Sequence, residues 1–114
     1  MTLTETRVDT QLLADLRNLR RTFEVFGWCQ GRAEDDAGRL CLLAGICYAI
    51  GGWAEGRATL IKVPERFEVV RRSLNAVRPD PDVLIGSGWN DHIARSVDDV
   101  YALIDAAITV EEQA

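Results

Sequence analysis

The sequence predicts an all-α (mainly) domain, a compact four-helix globule with a buried second helix and irregular connectors. Three observations carry this. Apolar residues recur at steps of three and four in three separate segments. A stretch that is apolar all round, Leu40–Ile50, lies between the first two of them. The most strand-like run, Thr59–Val63, has no second strand to pair with, so residues 54–63 read as a connector, with a short strand as the alternative.

The first helix is Asp9–Phe26. Val8, Leu12, Leu16, Leu19, Phe23 and Phe26, with Leu13 beside them, make one apolar stripe, while Arg17, Arg20, Arg21 and Glu24 take the other side. Asp9 or Thr10 caps its start, and Gly27 ends it in the left-handed conformation. Trp28–Arg39 follows as a loop, and its acidic trio Glu34, Asp35 and Asp36 complements the dipole of the next helix. The second helix, Leu40–Ile50, should be the most buried element. Ala44, Gly45 and Ala49 allow close approach of neighbours, and Gly51 and Gly52 end it.

Pro64 opens the third helix at a position proline tolerates. Its stripe is Phe67, Val70, Leu74 and Val77, with Arg66, Arg71, Arg72 and Arg78 mostly outside, and Pro79–Pro81 stop it. Within 82–88, Val83–Ile85 form a helical turn before Gly86–Gly88. The last helix runs from Val97 to about Thr109. Ser96 is its N-cap, Asp99 stands in capping-box position, and Val97, Val100, Tyr101, Leu103, Ile104, Ala107 and Ile108 form the buried face. Residues 9–109 thus make one domain, between a flexible N-terminus (1–8) and a flexible C-terminus (110–114).

Composition narrows the function classes. The chain has 114 residues, 47% hydrophobic and 27% charged, enough for one core without staples. Its net charge of -5 opposes phosphate backbones unless basic residues gather on one face. Cys29, Cys41 and Cys47 are odd in number and no secretory signal precedes them, so a reduced cytoplasmic protein is expected. Leu40–Trp53 is too short to span a bilayer, and no membrane role is expected. Neither glycine pair fits a phosphate loop, so no cofactor is expected.

Trp89-Asn90-Asp91-His92 is the most distinctive cluster. Asp91 and His92 are an acid/base candidate pair, with Cys41 as nucleophile at the start of a helix, where a thiolate is favoured. The competing reading is structural. Trp89 plugs the core, Asn90 and Asp91 tie down the backbone before the last helix, and Cys41 is a small packing residue. A zinc site from Cys29, Cys41, Cys47 and His92 has suitable ligands but lacks paired spacing, and Cys41 and Cys47 diverge by about 120° around a helix. No metal is expected. Arg17, Arg20 and Arg21 could merge with Arg66, Arg71 and Arg72 into a basic face for nucleic acid or an acidic protein. The alternative is a solvated face with local ion pairs.

Gly27-Trp28-Cys29-Gln30-Gly31, Gly38-Arg39-Leu40-Cys41-Leu42-Leu43-Ala44-Gly45, Trp89-Asn90-Asp91 and Arg95-Ser96-Val97-Asp98-Asp99-Val100 together resemble a small family of unknown function from actinobacteria and their phages. The likeness spans about Leu12 to Ile108. It departs where Ala44-Gly45 replaces the family's glycine-alanine order. It implies a helical domain of phage or actinobacterial origin and no activity. Read on their own, Trp28, Gly45, Trp89, Asn90, Asp91 and Ser96 are structural positions. The expected function is a non-catalytic interaction module binding a host or phage protein. A small enzyme using Cys41 with His92 or Asp91, and a nucleic-acid regulator using the arginine-bearing helices, are the alternatives.

Overall fold

The computed structural model describes residues 8–51, 53–54, 57–58 and 64–114. The expected fraying of Met1–Arg7 and the connector reading of Thr59–Val63 lie outside the described residues. The chain is mainly helical. Among the described residues four α-helices follow one another, α1 (Thr10–Phe26), α2 (Leu42–Ala49), α3 (Pro64–Ala76) and α4 (Val97–Glu112). A two-residue antiparallel pair, β1 (Trp53–Ala54) and β2 (Arg57–Ala58), sits between α2 and α3, with Trp53 opposite Ala58. A five-residue π-turn, Trp89–Ile93, precedes α4.

α1 begins where the Asp9 carboxylate accepts the Leu12 N–H at 3.0 Å, satisfying one of the amides a helix start leaves open. It ends at Gly27, whose φ of 86° is positive as expected. Its ψ of 173°, however, places it outside the left-handed helical region, in a conformation glycine alone adopts easily. The cause is the next contact. Gly27 C=O accepts the Leu40 N–H at 3.0 Å, so the chain leaves the helix extended. A Cβ on Gly27 would also sit 2.9 Å from Arg39 Cγ.

Leu12, Leu16, Leu19 and Phe23 bury the α1 stripe, and α1 touches each of the other three helices. Phe26, expected at the end of that stripe, is 42% exposed; its ring instead leans on Tyr48 of α2 at 5.0 Å. The core is completed by Leu42 and Ile46 of α2, Val70 and Leu74 of α3, and Val100 and Ile104 of α4. Trp89 of the π-turn joins them.

Among the described residues one charged side chain enters this core. Asp15 is 2% exposed on the buried side of α1 and is held by Arg66 of α3, whose Nε lies 3.2 Å from Oδ2 and whose Nη2 bonds Oδ1. The hydrogen bond to Asp15 raises the Arg66 pKa, and the forked geometry satisfies the buried carboxylate. Arg66 therefore ties α3 to α1.

α2 is shorter than its apolar pattern predicts. It starts at Leu42, because Leu40 pairs in isolated bridges with Trp28 and Glu34. Two of the acidic trio are engaged within their own loop rather than at the α2 N-terminus. Asp35 accepts the N–H groups of Ala37 and Arg39 and pairs with the Arg39 guanidinium, while Asp36 pairs with Arg32. At the other end of the chain, α4 runs to Glu112, beyond Thr109 and into the C-terminal segment expected to fray. Glu112 pairs with Arg17, and the Glu111 carboxylate accepts the Asp9 N–H at 2.7 Å, which anchors the last turn to α1.

Candidate binding site at the start of the second helix

Three segments distant in sequence meet where α2 begins: the turn after α1, the first residues of α2, and the π-turn. Asn90 is the junction. Its side chain is 1% exposed and uses its full hydrogen-bonding capacity. Oδ1 accepts the Trp28 indole N–H at 2.7 Å and the Leu42 N–H at 2.9 Å. Nδ2 donates to Cys29 C=O at 3.1 Å and to Asp91 Oδ1 at 2.8 Å. The first amide of α2 is thus capped by a residue 48 positions away.

Gln30 closes the knot from the opposite side. Its Nε2 reaches Asn90 C=O and Ala94 C=O, each at 2.9 Å, and Asp91 C=O at 3.3 Å. These are carbonyls at the end of a π-turn, where the Ala94 N–H bonds Trp89 C=O across five residues. Sequence reasoning treats Trp89–His92 as a loop and Gln30 as a turn residue. The wide turn is set by these tertiary partners, which no local pattern encodes. The Gly31 N–H donates to Asp91 Oδ1 at 2.9 Å. That bond and the Asn90 side chain hold the Asp91 pKa below the usual carboxylate range. The resulting stabilisation is complete above the ordinary carboxylate range and is lost as pH falls through the folded value.

Beside the knot lies a pocket of about 290 Å³. Ala33, Cys41, Leu43, Ala44 and Cys47 line it on one side, with Gly31, Arg32, Ser87 and Asp91 around them. Cys41 and Asp91 therefore share a pocket, whereas the exposed His92 does not line it. Cys41 is the N-cap of α2 rather than a helical residue, and its sulfur accepts the Ala44 N–H at 3.4 Å. Its extended backbone (φ -76°, ψ 172°) is why Cys41 and Cys47 face one pocket, although helical arithmetic sets them apart. Cys29 is elsewhere, buried, with its thiol against Arg39 C=O at 3.2 Å. Among the described residues, no group of three or more metal-ligating side chains comes together.

The thiols differ in environment. Burial, reinforced by the neighbouring Cys41, pushes Cys47 up to about 11. Burial first, then the nearby Asp35 and Cys41, raises Cys29. All three are free, and Cys41 alone is not fully buried. Iodoacetamide at mildly alkaline pH should label Cys41 alone in the folded protein and all three thiols in urea, as read by peptide mass spectrometry. Early labelling of Cys47 would contradict this placement.

The other sequence candidates lie apart. Ser96 is the N-cap of α4 by backbone geometry, but its hydroxyl makes no capping bond; the Asp99 carboxylate reaches past it to the Arg95 N–H at 2.8 Å. Arg17 pairs with Glu112. Arg20 lies 3.3 Å from Asp105 and stacks over Tyr101 at 4.3 Å, and Arg71 grips Glu68. Arg21 and Arg72 have no ion pair among the described residues. Arg21 borders a second groove of about 290 Å³, where α1 and α2 end, with Val25, Phe26 and Tyr48. Val25 is 68% exposed there. Helical periodicity alone does not reveal this groove, because Phe26 continues the core stripe.

Against known proteins, residues 7–110 match a family described as of unknown function, DUF6197. No curated protein and no solved structure matches.

Proposed function

We propose that this chain, which belongs to the DUF6197 family of unknown function, is a non-catalytic protein-interaction module that docks its partner in the groove between the ends of α1 and α2. The observation that carries the reading is the exposure of Val25 and Phe26, adjacent large apolar residues facing water beside Tyr48. An exposed apolar patch with a polar rim is the usual form of a docking site. Asn18, Arg21 and Thr22 supply that rim, and Arg21 offers a cation without an ion pair among the described residues. The fitting partner inserts an apolar side chain against Val25 and sets a carboxylate on Arg21. The phage or prophage origin implied by the family resemblance belongs to the same proposal and makes that partner a host or phage protein.

Two further points support binding over the alternatives. Asp91 Oδ1 is already committed to Gly31 and Asn90, and His92 lies outside the pocket that holds Cys41. Four of the six candidate arginines are engaged by acids of this chain, leaving little free charge for phosphates.

The test is affinity capture from the native host, comparing wild type with Val25→Glu/Phe26→Ser. The proposal expects a protein captured by the wild type in stoichiometric yield to be lost with the double variant, whose circular dichroism is unchanged. Arg21→Glu should weaken that capture by about threefold or more. Identical capture by all variants would sink the reading. So would salt-sensitive retention on DNA abolished by Arg17→Glu with Arg71→Glu. Loss of a measurable function in both Cys41→Ala and His92→Ala, with the fold intact, would favour catalysis instead.

A further inference from the structure

The groove just described leaves the pocket at the start of α2 without a role, and its chemistry is different. Its volume of about 290 Å³ falls just below the roughly 300–1,000 Å³ typical of small-molecule sites, enough for a body on the order of ten non-hydrogen atoms. The apolar lining is contributed by Ala33, Leu43, Ala44 and the Cys47 thiol, which burial keeps neutral at physiological pH. Such a surface favours an aliphatic or aromatic body.

The charged residues of the lining are not equivalent. The Arg32 guanidinium has a counter-ion, lying 3.6 Å from Asp36 Oδ1. Asp91 has no ion pair among the described residues, the neighbouring His92 acting on it only as a weak, more distant charge: Oδ1 is held by Gly31 and Asn90, and Oδ2 receives no hydrogen bond from the described residues. The bonds to Oδ1 also fix the carboxylate in place and favour its ionised form. A positioned anion beside an apolar pocket selects a cation, since an ammonium supplies both the countercharge and the missing donor.

We propose that this pocket binds a small organic amine, its apolar body against Ala33, Leu43, Ala44 and Cys47 and its ammonium on Asp91 Oδ2. The site is separate from the α1–α2 groove and stands or falls independently of it. A carboxylic acid of the same shape is excluded by the Asp91 charge, and a neutral alcohol makes the same apolar contacts without charge assistance.

The experiment is an amide NMR titration at neutral pH with three probes of one shape, 2-phenylethylamine, 2-phenylethanol and phenylacetate. The amine should shift the amides of Ala33, Ala44 and Cys47, with the alcohol about fivefold weaker and the acid silent. Asp91→Asn keeps an oxygen for the Gly31 N–H while removing the charge, and should erase the advantage of the amine over the alcohol. In the wild-type protein, saturating amine should also slow iodoacetamide labelling of Cys41, a readout that does not depend on a variant folding. The proposal is overturned if phenylacetate binds as well as the amine, if the preference for the amine survives Asp91→Asn, or if the amine neither protects Cys41 nor shifts pocket amides up to roughly 20 mM.

Discussion

Asn90→Ala is expected to cost roughly 3–5 kcal/mol of folding stability, a large share of what a domain of this size has. The Trp28 indole N–H, the Leu42 N–H and the Cys29 carbonyl all depend on this one side chain, and the junction is buried. Each unsatisfied buried group costs about 1–3 kcal/mol, reduced where water can enter from the adjoining pocket. Urea denaturation followed by circular dichroism measures the loss; a change under about 1 kcal/mol would mean that the knot is not a structural junction. Asn90→Asp separates the roles of the two ends. It retains an acceptor for Trp28 and Leu42 but places a carboxyl against Asp91 Oδ1 and Cys29 C=O, both acceptors. Burial and the neighbouring anion raise the folded-state pKa of the new group above its unfolded value. Its penalty should therefore grow as pH rises through and above the ordinary carboxylate range, whereas that of Asn90→Ala should change little.

Gly45→Ala is expected to destabilise by roughly 2–3 kcal/mol, although alanine is the better helix former by about 1 kcal/mol. A methyl at this position would overlap the far edge of the Phe23 ring, where α1 and α2 cross. Phe23 is itself buried, so the ring has no open space to rotate into. A double-mutant cycle identifies the cause. In a Phe23→Leu background the shorter side chain vacates the overlap, and Gly45→Ala should then cost under about 1 kcal/mol. An undiminished penalty in that background would rule out the ring contact as the reason glycine is needed.

Both variants act on residues visible in the sequence, but the two were legible to different degrees. Gly45 stands out because a glycine inside an apolar helix implies close packing, and the pattern leaves open only which side chain approaches it. Asn90 stands out as part of an unusual tripeptide, yet nothing in Trp89-Asn90-Asp91-His92 says that its amide caps a helix 48 residues earlier. Gln30 was legible only as turn chemistry, because its three carbonyl partners come from a segment about 60 residues on. Asp15 and Arg66 were hidden for the same reason. Each looks like an ordinary surface charge until α1 and α3 are brought together.

What the sequence determined by itself was the periodic part of the protein: a mainly helical chain, its helical segments, most of the faces they bury, and where α1 starts and stops. Those features depend on residues three or four positions apart, so local spacing encodes them. Tertiary structure alone decided where α2 begins, why Cys41 and Cys47 face one pocket, and which loop carbonyls and amides are satisfied. It also decided that Phe26 stays in water while the last turn of α4 is held to α1. These outcomes depend on partners tens of residues away, and a buried polar group is stable only where such a partner meets it. For that reason the pocket and the groove, from which the binding roles are inferred, emerge only once the helices are packed.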